Sequence, residues 1–457
     1  MKRRSSLAGA ILPVTLAVLV LVFGIRRYGS LDGLWRRASA EVVARLPHPV
    51  LVPTPLPVAT IWPVPTVVLA PTTVQPSTQS LPEPTAAATR TRPTVAPTAA
   101  ATSSTVRPAA SRTATSAPTR SPTPTRPPPT FIPTPTPTAL PPAVRLTGLT
   151  HAWQTWNNCG PATLAMNLSY FGSRTTQAEI AATLRPFKDD KNVNPEELAA
   201  YARAQGSRAL ARVNGSPETL RQLLSAGVPV LVETWYEPKP NDGMGHYRLL
   251  VGYDDAAREW IAYDSYDSHG LVKGQPYAGI RLPYDEVARD WPVFDRTYLL
   301  IYDEPRAAAV AKIVGDDLDD TAMWTRAAAD AETAVQQSPD DAFAWFNLGT
   351  GLTALDRFDE AAAAYDRSRQ LGLPWRMLWY QFGPFRAYYE TGRYDEVIAL
   401  ADATLRTAKH VEELFFWRGL AQKAKDDLPA ARASWERAQA LNPNYADAQA
   451  ALAALVP

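Results

Sequence analysis

Four residues of this chain have the types and the order that thiol chemistry needs: Gln154, Cys159, His246 and Asp264. Cys159 is the only cysteine among 457 residues, and Gly160 and Pro161 follow it directly. After them comes an apolar pattern at helical spacing: Leu164, Met166, Leu168, Tyr170 and Phe171. Proline at a first helical position is pre-set for the helix and gives up no needed donor. The thiol is therefore expected just ahead of a helix N-terminus, where partial positive charge favours a thiolate. The competing reading is a small buried core residue, the usual fate of a free cysteine.

A thiol nucleophile needs a base to take its proton and a third group to hold that base. The chain has five histidines. His48 falls in a proline-rich stretch and His410 in an Ala-rich one, which leaves His151, His246 and His269. His246 closes the run GMGH and opens the strand-like YRLLVGY, and Asp264 ends the next strand-like run, EWIAYD. With 254–258 as the loop, Tyr253 faces Glu259 and Arg248 faces Asp264. His246 is then a diagonal neighbour of Asp264 on the same face. A slip of one residue would break that arrangement. Gly243 and Gly245 would let backbone come close to the site. Gln154 can supply a side-chain N–H which, with the Cys159 backbone N–H, would hold the oxyanion of acyl transfer. Each residue also has an ordinary reading: a hairpin histidine for His246, a turn former for Asp264, a surface residue for Gln154.

Elements able to position such a set are legible around it. Thr176 to Glu179 has capping-box form ahead of an apolar run. Asn194 and Pro195 open a helix that Gly206 can close, and Ser216, Pro217 and Gly227 repeat that syntax. Strands are expected over 228–234, 247–253, 259–264 and 297–302. Helices first and an antiparallel sheet later is an α+β order.

Residues of about 147–302 resemble the papain-like double-glycine leader peptidases, cysteine peptidase family thirty-nine, and more closely its stand-alone "like" branch. The resemblance is carried by Gln154, by Cys159-Gly160-Pro161-Ala162, and by Tyr170-Phe171-Gly172. Gly245-His246, Val251-Gly252-Tyr253 and Asp264 complete it. It implies a papain-like α+β fold, Cys159 as nucleophile, His246 as base, Asp264 as orienter and Gln154 as oxyanion donor. A peptide or protein substrate is implied, with no cofactor and no metal. Exporter segments and a nucleotide-binding motif are lacking, so the leader-peptide substrate is not carried over.

The rest of the chain frames this unit. Residues 7–25 are uncharged, sit between MKRRSS and Arg26-Arg27, and are long enough to span a bilayer as a signal anchor, with a cleaved signal peptide as the competing reading. More than half of the 43 prolines then fall between Pro47 and Pro142, among Thr, Ala, Val and Ser. Such a stretch buries little and is expected to be a disordered, extended stalk. From Pro305 the chain resembles tetratricopeptide repeats. Trp345, Leu348, Gly349, Ala361 and Tyr365 have the spacing, and RFDEAAAAY recurs as RYDEVIALA and DLPAARASW. In the middle repeat Pro384 and Phe385 replace the expected Leu and Gly, so a kinked first helix is expected. The domain plan is thus 1–28 anchor, 29–143 stalk, 144–304 peptidase-like domain and 305–457 repeats.

The formal charge of +1 gives no bias towards nucleic acid, and a single cysteine excludes an intramolecular disulfide. The expected function is a membrane-tethered, extracytoplasmic thiol peptidase whose repeats recruit a protein or peptide partner, with thiol-acyl transfer as a minor variant. The alternative is a non-catalytic peptide-binding scaffold with a papain-like fold.

Overall fold

The computed structural model describes residues 51–56, 139–271 and 275–455. The expected anchor and most of the expected stalk lie outside these residues. Among the described residues no helix is long and apolar enough to cross a membrane.

The first part of the fold is an α+β domain. Strand β1 (Ala143–Arg145) leads to helices α1 (Cys159–Tyr170), α2 (Gln177–Leu184) and α3 (Pro195–Ala204). Then come β2 (Arg208–Arg212), α4 (Pro217–Ser225), β3 (Val230–Tyr236), β4 (Met244–Asp254), β5 (Glu259–Asp264), β6 (Ile280–Pro283), α5 (Tyr284–Asp290) and β7 (Tyr298–Tyr302). One antiparallel sheet runs β2-β7-β3-β4-β5-β6, with β1 paired to the far end of β4.

The expected helix starts form as local chemistry dictates. Thr176 and Glu179 make a full capping box on α2, and Asn194 with Glu197 makes another on α3. Ser216 accepts from the Thr219 N–H at the start of α4. Side chains alternate across the central strands. Leu231, Leu249 and Val251 pack with α1 and α3, while Val230, Val232 and Leu250 pack with α4. Both faces are covered, so β3 and β4 are buried almost throughout.

The β4–β5 register differs from the expected one by two compensating steps. The loop is one residue shorter, so Asp254 faces Glu259 and Tyr253 faces Trp260. A bulge between Leu250 and Gly252 then absorbs one residue and returns Arg248 to a position opposite Asp264.

Helix α6 (Ala307–Val314) still belongs to this domain, since Val310 and Val314 join the α4 core and Arg306 donates to the Gly227 carbonyl at 2.8 Å. The domain also starts before the expected edge at 144. The Pro142 carbonyl accepts from the Asp255 N–H, and the Pro141 carbonyl accepts from the Tyr253 hydroxyl.

Helical hairpins follow: α7 (Asp320–Gln337), α8 (Ala342–Ala354), α9 (Phe358–Leu371), α10 (Gly383–Glu390), α11 (Tyr394–Leu405), α12 (Glu412–Ala424), α13 (Leu428–Leu441) and α14 (Ala446–Ala453). The expected kink at Pro384 is absent. Proline sits in the first turn of a short α10, where its missing donor is not needed. The residues ahead of it, 372–382, form an irregular loop with one 3-10 turn that turns back to the α+β domain. Trp375 and Trp379 of this loop, with Trp235, Val293 and Phe294 of the α+β domain, share one apolar core with the helices.

A short piece of the expected stalk is ordered as well. Leu51 bridges to Pro374, and the Val52 N–H donates to the Leu373 carbonyl at 2.8 Å. Val52 is buried in the helical core. The buried Arg369–Glu396 pair, 2.6 Å apart, engages this backbone: Arg369 donates to the Pro53 carbonyl and Glu396 accepts from the Leu56 N–H.

Candidate active site

Cys159 opens α1 itself. Asn158 is the flanking residue, and Pro161 stands at the third helical position rather than the first. The loop leading into the helix is clamped from α2. Gln177 accepts from the Thr155 N–H at 2.9 Å and donates to the Trp153 carbonyl at 2.8 Å. The buried Arg185 donates to Asn158 Oδ1 at 2.9 Å. Gln177 at the start of α2 and Arg185 just past its end therefore fix the loop from Gln154 to Cys159, and neither stood out in the sequence.

His246 and Asp264 come together as buried neighbours across β4 and β5. His246 Nε2 lies 2.9 Å from Asp264 Oδ1. The other ring nitrogen, Nδ1, takes no part in that bond, and His246 is close enough to Cys159 to lower the thiol's pKa. Asp264 Oδ1 also accepts the backbone N–H groups of Tyr266 and Asp267, each at 2.7 Å. Asp264 thus faces the histidine and also forms the turn that the simpler reading gave it.

Arg248 completes this arrangement. It is 1% exposed and donates from Nε to Asp264 Oδ2 at 3.1 Å and from Nη1 to Glu286 Oε1 at 3.1 Å. Its position opposite Asp264 followed from the register, but its part in holding the carboxylate did not. His151, one of the three histidines left as candidates by the sequence, donates from Nε2 to the Asp264 carbonyl at 2.8 Å and stacks on Tyr277. His269 is exposed and pairs with Asp267.

The electrostatics follow from these contacts. Burial alone would push the Cys159 thiol up. The hydrogen bond and charge of His246, with backbone hydrogen bonds from Tyr247 and Gly160, outweigh it, and the net shift is down. For His246 burial works to lower the pKa, but the Asp264 charge and hydrogen bond dominate and raise it to about 9. Burial would raise Asp264, yet His246 and Arg248 hold it well below the usual carboxylate range.

Gln154 is tied to the residue after Asp264. Its N–H donates to the Ser265 carbonyl at 2.8 Å, and its Oε1 accepts from Ser265 Oγ at 2.8 Å. These bonds leave the amide nitrogen as its free donor end, and neither of them reaches Cys159. Gly243 and Gly245 do meet close neighbours, but these are aromatic rings rather than backbone. A Cβ at Gly243 would run into the Trp235 indole, and one at Gly245 would lie 3.2 Å from Phe294 and Tyr380. Among the described residues no cluster of His, Cys, Asp and Glu could hold a metal ion.

Residues 142–296, about a third of the chain, match the Peptidase_C39 like family. Solved structures similar to this chain include a C39-like peptidase from Bacillus anthracis, 16% identical, which covers 35% of this chain and 98% of that one, with a TM-score of 0.28. A second is a double glycine motif protease from an AMS/PCAT transporter in complex with the leader peptide, 18% identical, covering 35% and 93%, with a TM-score of 0.26. A third is xylellain, a cysteine protease from Xylella fastidiosa, 15% identical, covering 36% and 87%, with a TM-score of 0.28. No curated protein matches the chain. The α+β domain with its antiparallel sheet fits a papain-like fold, and the family match supports a papain-like cysteine peptidase or a related scaffold.

Proposed function

We propose that the α+β domain is a thiol peptidase. Cys159 is the nucleophile, His246 the base, Asp264 the orienting group, and Gln154 with the Cys159 backbone N–H the oxyanion donors. The observation that carries this reading is the buried His246–Asp264 hydrogen bond at 2.9 Å, with the Cys159 thiol close enough for His246 to lower its pKa, the three residues held on separate elements. The thiolate attacks the peptide carbonyl and forms a C–S bond. The oxyanion is held by the N–H groups, and the tetrahedral species collapses as His246 gives its proton to the leaving amine. A water then attacks the thioester while His246 takes its proton, and the acid leaves with the thiol restored. Asp264 stays ionised and steadies the imidazolium. The peptide bound in the transporter protease supports a peptide substrate.

The remaining parts are read in the same proposal. Residues 1–28 anchor the chain, the proline-rich segment holds the later domains outside the membrane, and the helical region is a tetratricopeptide array that recruits a protein or peptide. Its hairpins and the Trp345, Leu348, Gly349 spacing support that reading.

The test pairs alkylation of Cys159 against pH with peptide turnover. Cys159→Ala and His246→Ala are expected to abolish turnover. Gln154→Ala is expected to lower it by about a hundredfold, as loss of one oxyanion donor does elsewhere. A thiol that reacts only above its ordinary pKa, unchanged by loss of His246, would make the domain a peptide-binding scaffold.

A further inference from the structure

Beside the thiol lies a cavity of about 20 Å³, lined by Asn157, Cys159, Lys191, Glu233, Gly245 and Tyr380 among others. A water needs roughly 10–15 Å³ of such space, so the cavity admits one small group. Two of the side chains lining it carry buried polar atoms with no hydrogen-bond partner, Glu233 Oε2 and Asn157 Nδ2. Glu233 is 4% exposed. Buried polar atoms of this kind are nearly always paired in folded proteins, so two of them on residues lining one cavity call for a partner.

The partner's chemistry follows from what lines the cavity. Asn157 Nδ2 can only donate, and a carboxyl oxygen accepts. Burial, then the Cys159 charge, lift the Glu233 carboxyl to about 8, so near neutral pH it holds its proton much of the time and can donate as well. A hydroxyl both donates and accepts, and it fits the space. One wall comes from outside the α+β domain: the Tyr380 ring, carried by the loop 372–382, lies over Gly245. That loop is pinned by Arg376, which donates to the Gly243 carbonyl at 3.2 Å and pairs with Asp242 at 2.6 Å.

We propose that this cavity is a subsite for a substrate residue flanking the scissile bond, that it selects a small hydroxyl-bearing side chain such as serine, and that Tyr380 of the helical region closes it against larger ones. The proposal rests on the peptidase reading above. The helical region is then part of the cleft and not only a platform for partners.

The experiment uses the full chain and a set of fluorogenic peptides that differ only at the two positions flanking the cleaved bond, carrying Ser, Ala or Val. Iodoacetamide labelling of Cys159 runs in parallel. At one position Ser is expected to exceed Ala and Val in kcat/KM by at least about tenfold, since a site built to bond a hydroxyl discriminates more than an apolar one. Tyr380→Ala should narrow the Ser-to-Val ratio, and Glu233→Ala should bring the Ser-to-Ala ratio close to one. Both readouts are ratios within one preparation, so a partly folded variant still reports. A reactive Cys159 with ratios unchanged in both variants would overturn the subsite alone. A Cys159 that resists labelling, with no peptide cleaved, would remove the peptidase reading and the subsite with it.

Discussion

Arg248 Nε stands 3.1 Å from Asp264 Oδ2, while His246 Nε2 stands 2.9 Å from Asp264 Oδ1. One buried carboxylate is thus gripped on its two oxygens by two basic side chains from the same face of β4, two residues apart. Arg248 also reaches Glu286 on α5 and lies 3.9 Å from Asp267, so the base–orienter pair is braced from a helix and a turn.

Replacing Arg248 by Met should therefore leave Asp264 with a weaker hold and Glu286 unpaired. Breaking a buried ion pair costs about 3–5 kcal/mol. Urea unfolding of R248M should show a loss on that scale. The pH–rate profile adds a readout that loss of stability alone would not move. Without the guanidinium the Asp264 carboxylate is less favoured, so the acidic limb should shift to higher pH. A variant with normal stability and an unmoved acidic limb would remove Arg248 from any positioning role.

Alkylation of Cys159 should depend on pH in a defined sense. The thiol is shifted down and His246 up to about 9, so the charged pair exists over a window below that value. Iodoacetamide labelling should stay fast well below the pH at which a free thiol ionises, about 8.5. The same pair bears on stability. The folded pKa of His246 lies above its ordinary 6.5, so its contribution is fully present below 6.5 and is lost as pH rises through about 9. His246→Ala should return labelling to an ordinary thiol profile; identical profiles with and without His246 would dissolve the pair.

Much of this framework was legible because it is local. Capping residues and the order of helices and strands follow from neighbours in sequence. The bulge at Val251 was not legible. Both faces of β4 are buried, so no polar residue marks the step, and the facing was reached only because a loop one residue too long cancelled it. Strand β2, RALAR, was missed because five residues with charged ends carry little strand signal. Glu233, Arg185 and Tyr380 reach the site through tertiary contacts that no spacing encodes. The segment 51–56 was read as solvated stalk because composition cannot see the Arg369–Glu396 pair that meets its backbone.

That segment gives a third prediction. Val52 is 4% exposed and packs among apolar side chains of the helical core. Val52→Asp should lower stability by about 3 kcal/mol or more, in the range for burying an unpaired polar or charged group. Thermal unfolding of the full chain measures it. Truncation at residue 138 should lower the midpoint in the same direction and still leave the α+β core folded, because its sheet starts at β1. An unchanged midpoint in both proteins would mean that the docked segment adds nothing to the fold.

The last prediction concerns the seam between the α+β domain and the helices. Asp190 and Glu197 from one side meet Glu412 and Glu413 from the other, with Arg185 and Tyr445 nearby. Asn192 and Asn194 donate to Glu413 Oε1 at 2.9 and 3.2 Å, and Asn442 donates to Glu412 Oε1 at 2.7 Å. The second oxygens of Glu412 and Glu413 have no partner. Burial, first of all, raises all four carboxyls, Glu197 to about 7, and repulsion from neighbouring carboxylates adds to it at Asp190, Glu197 and Glu413. The folded seam therefore holds protons that the unfolded chain would release. For groups raised in this way the stabilisation is complete below the ordinary carboxylate pKa and is lost as pH climbs through the folded value. Stability should thus fall as pH rises from the ordinary carboxylate range through about 7, with the same sign as the His246 effect but at lower pH. Glu413→Gln removes one titrating group and keeps an acceptor for both asparagines, so it should flatten the slope and raise the midpoint at pH 8. Thermal melts of the two proteins at half-unit pH steps decide the matter: parallel curves would show that the seam does not titrate with folding.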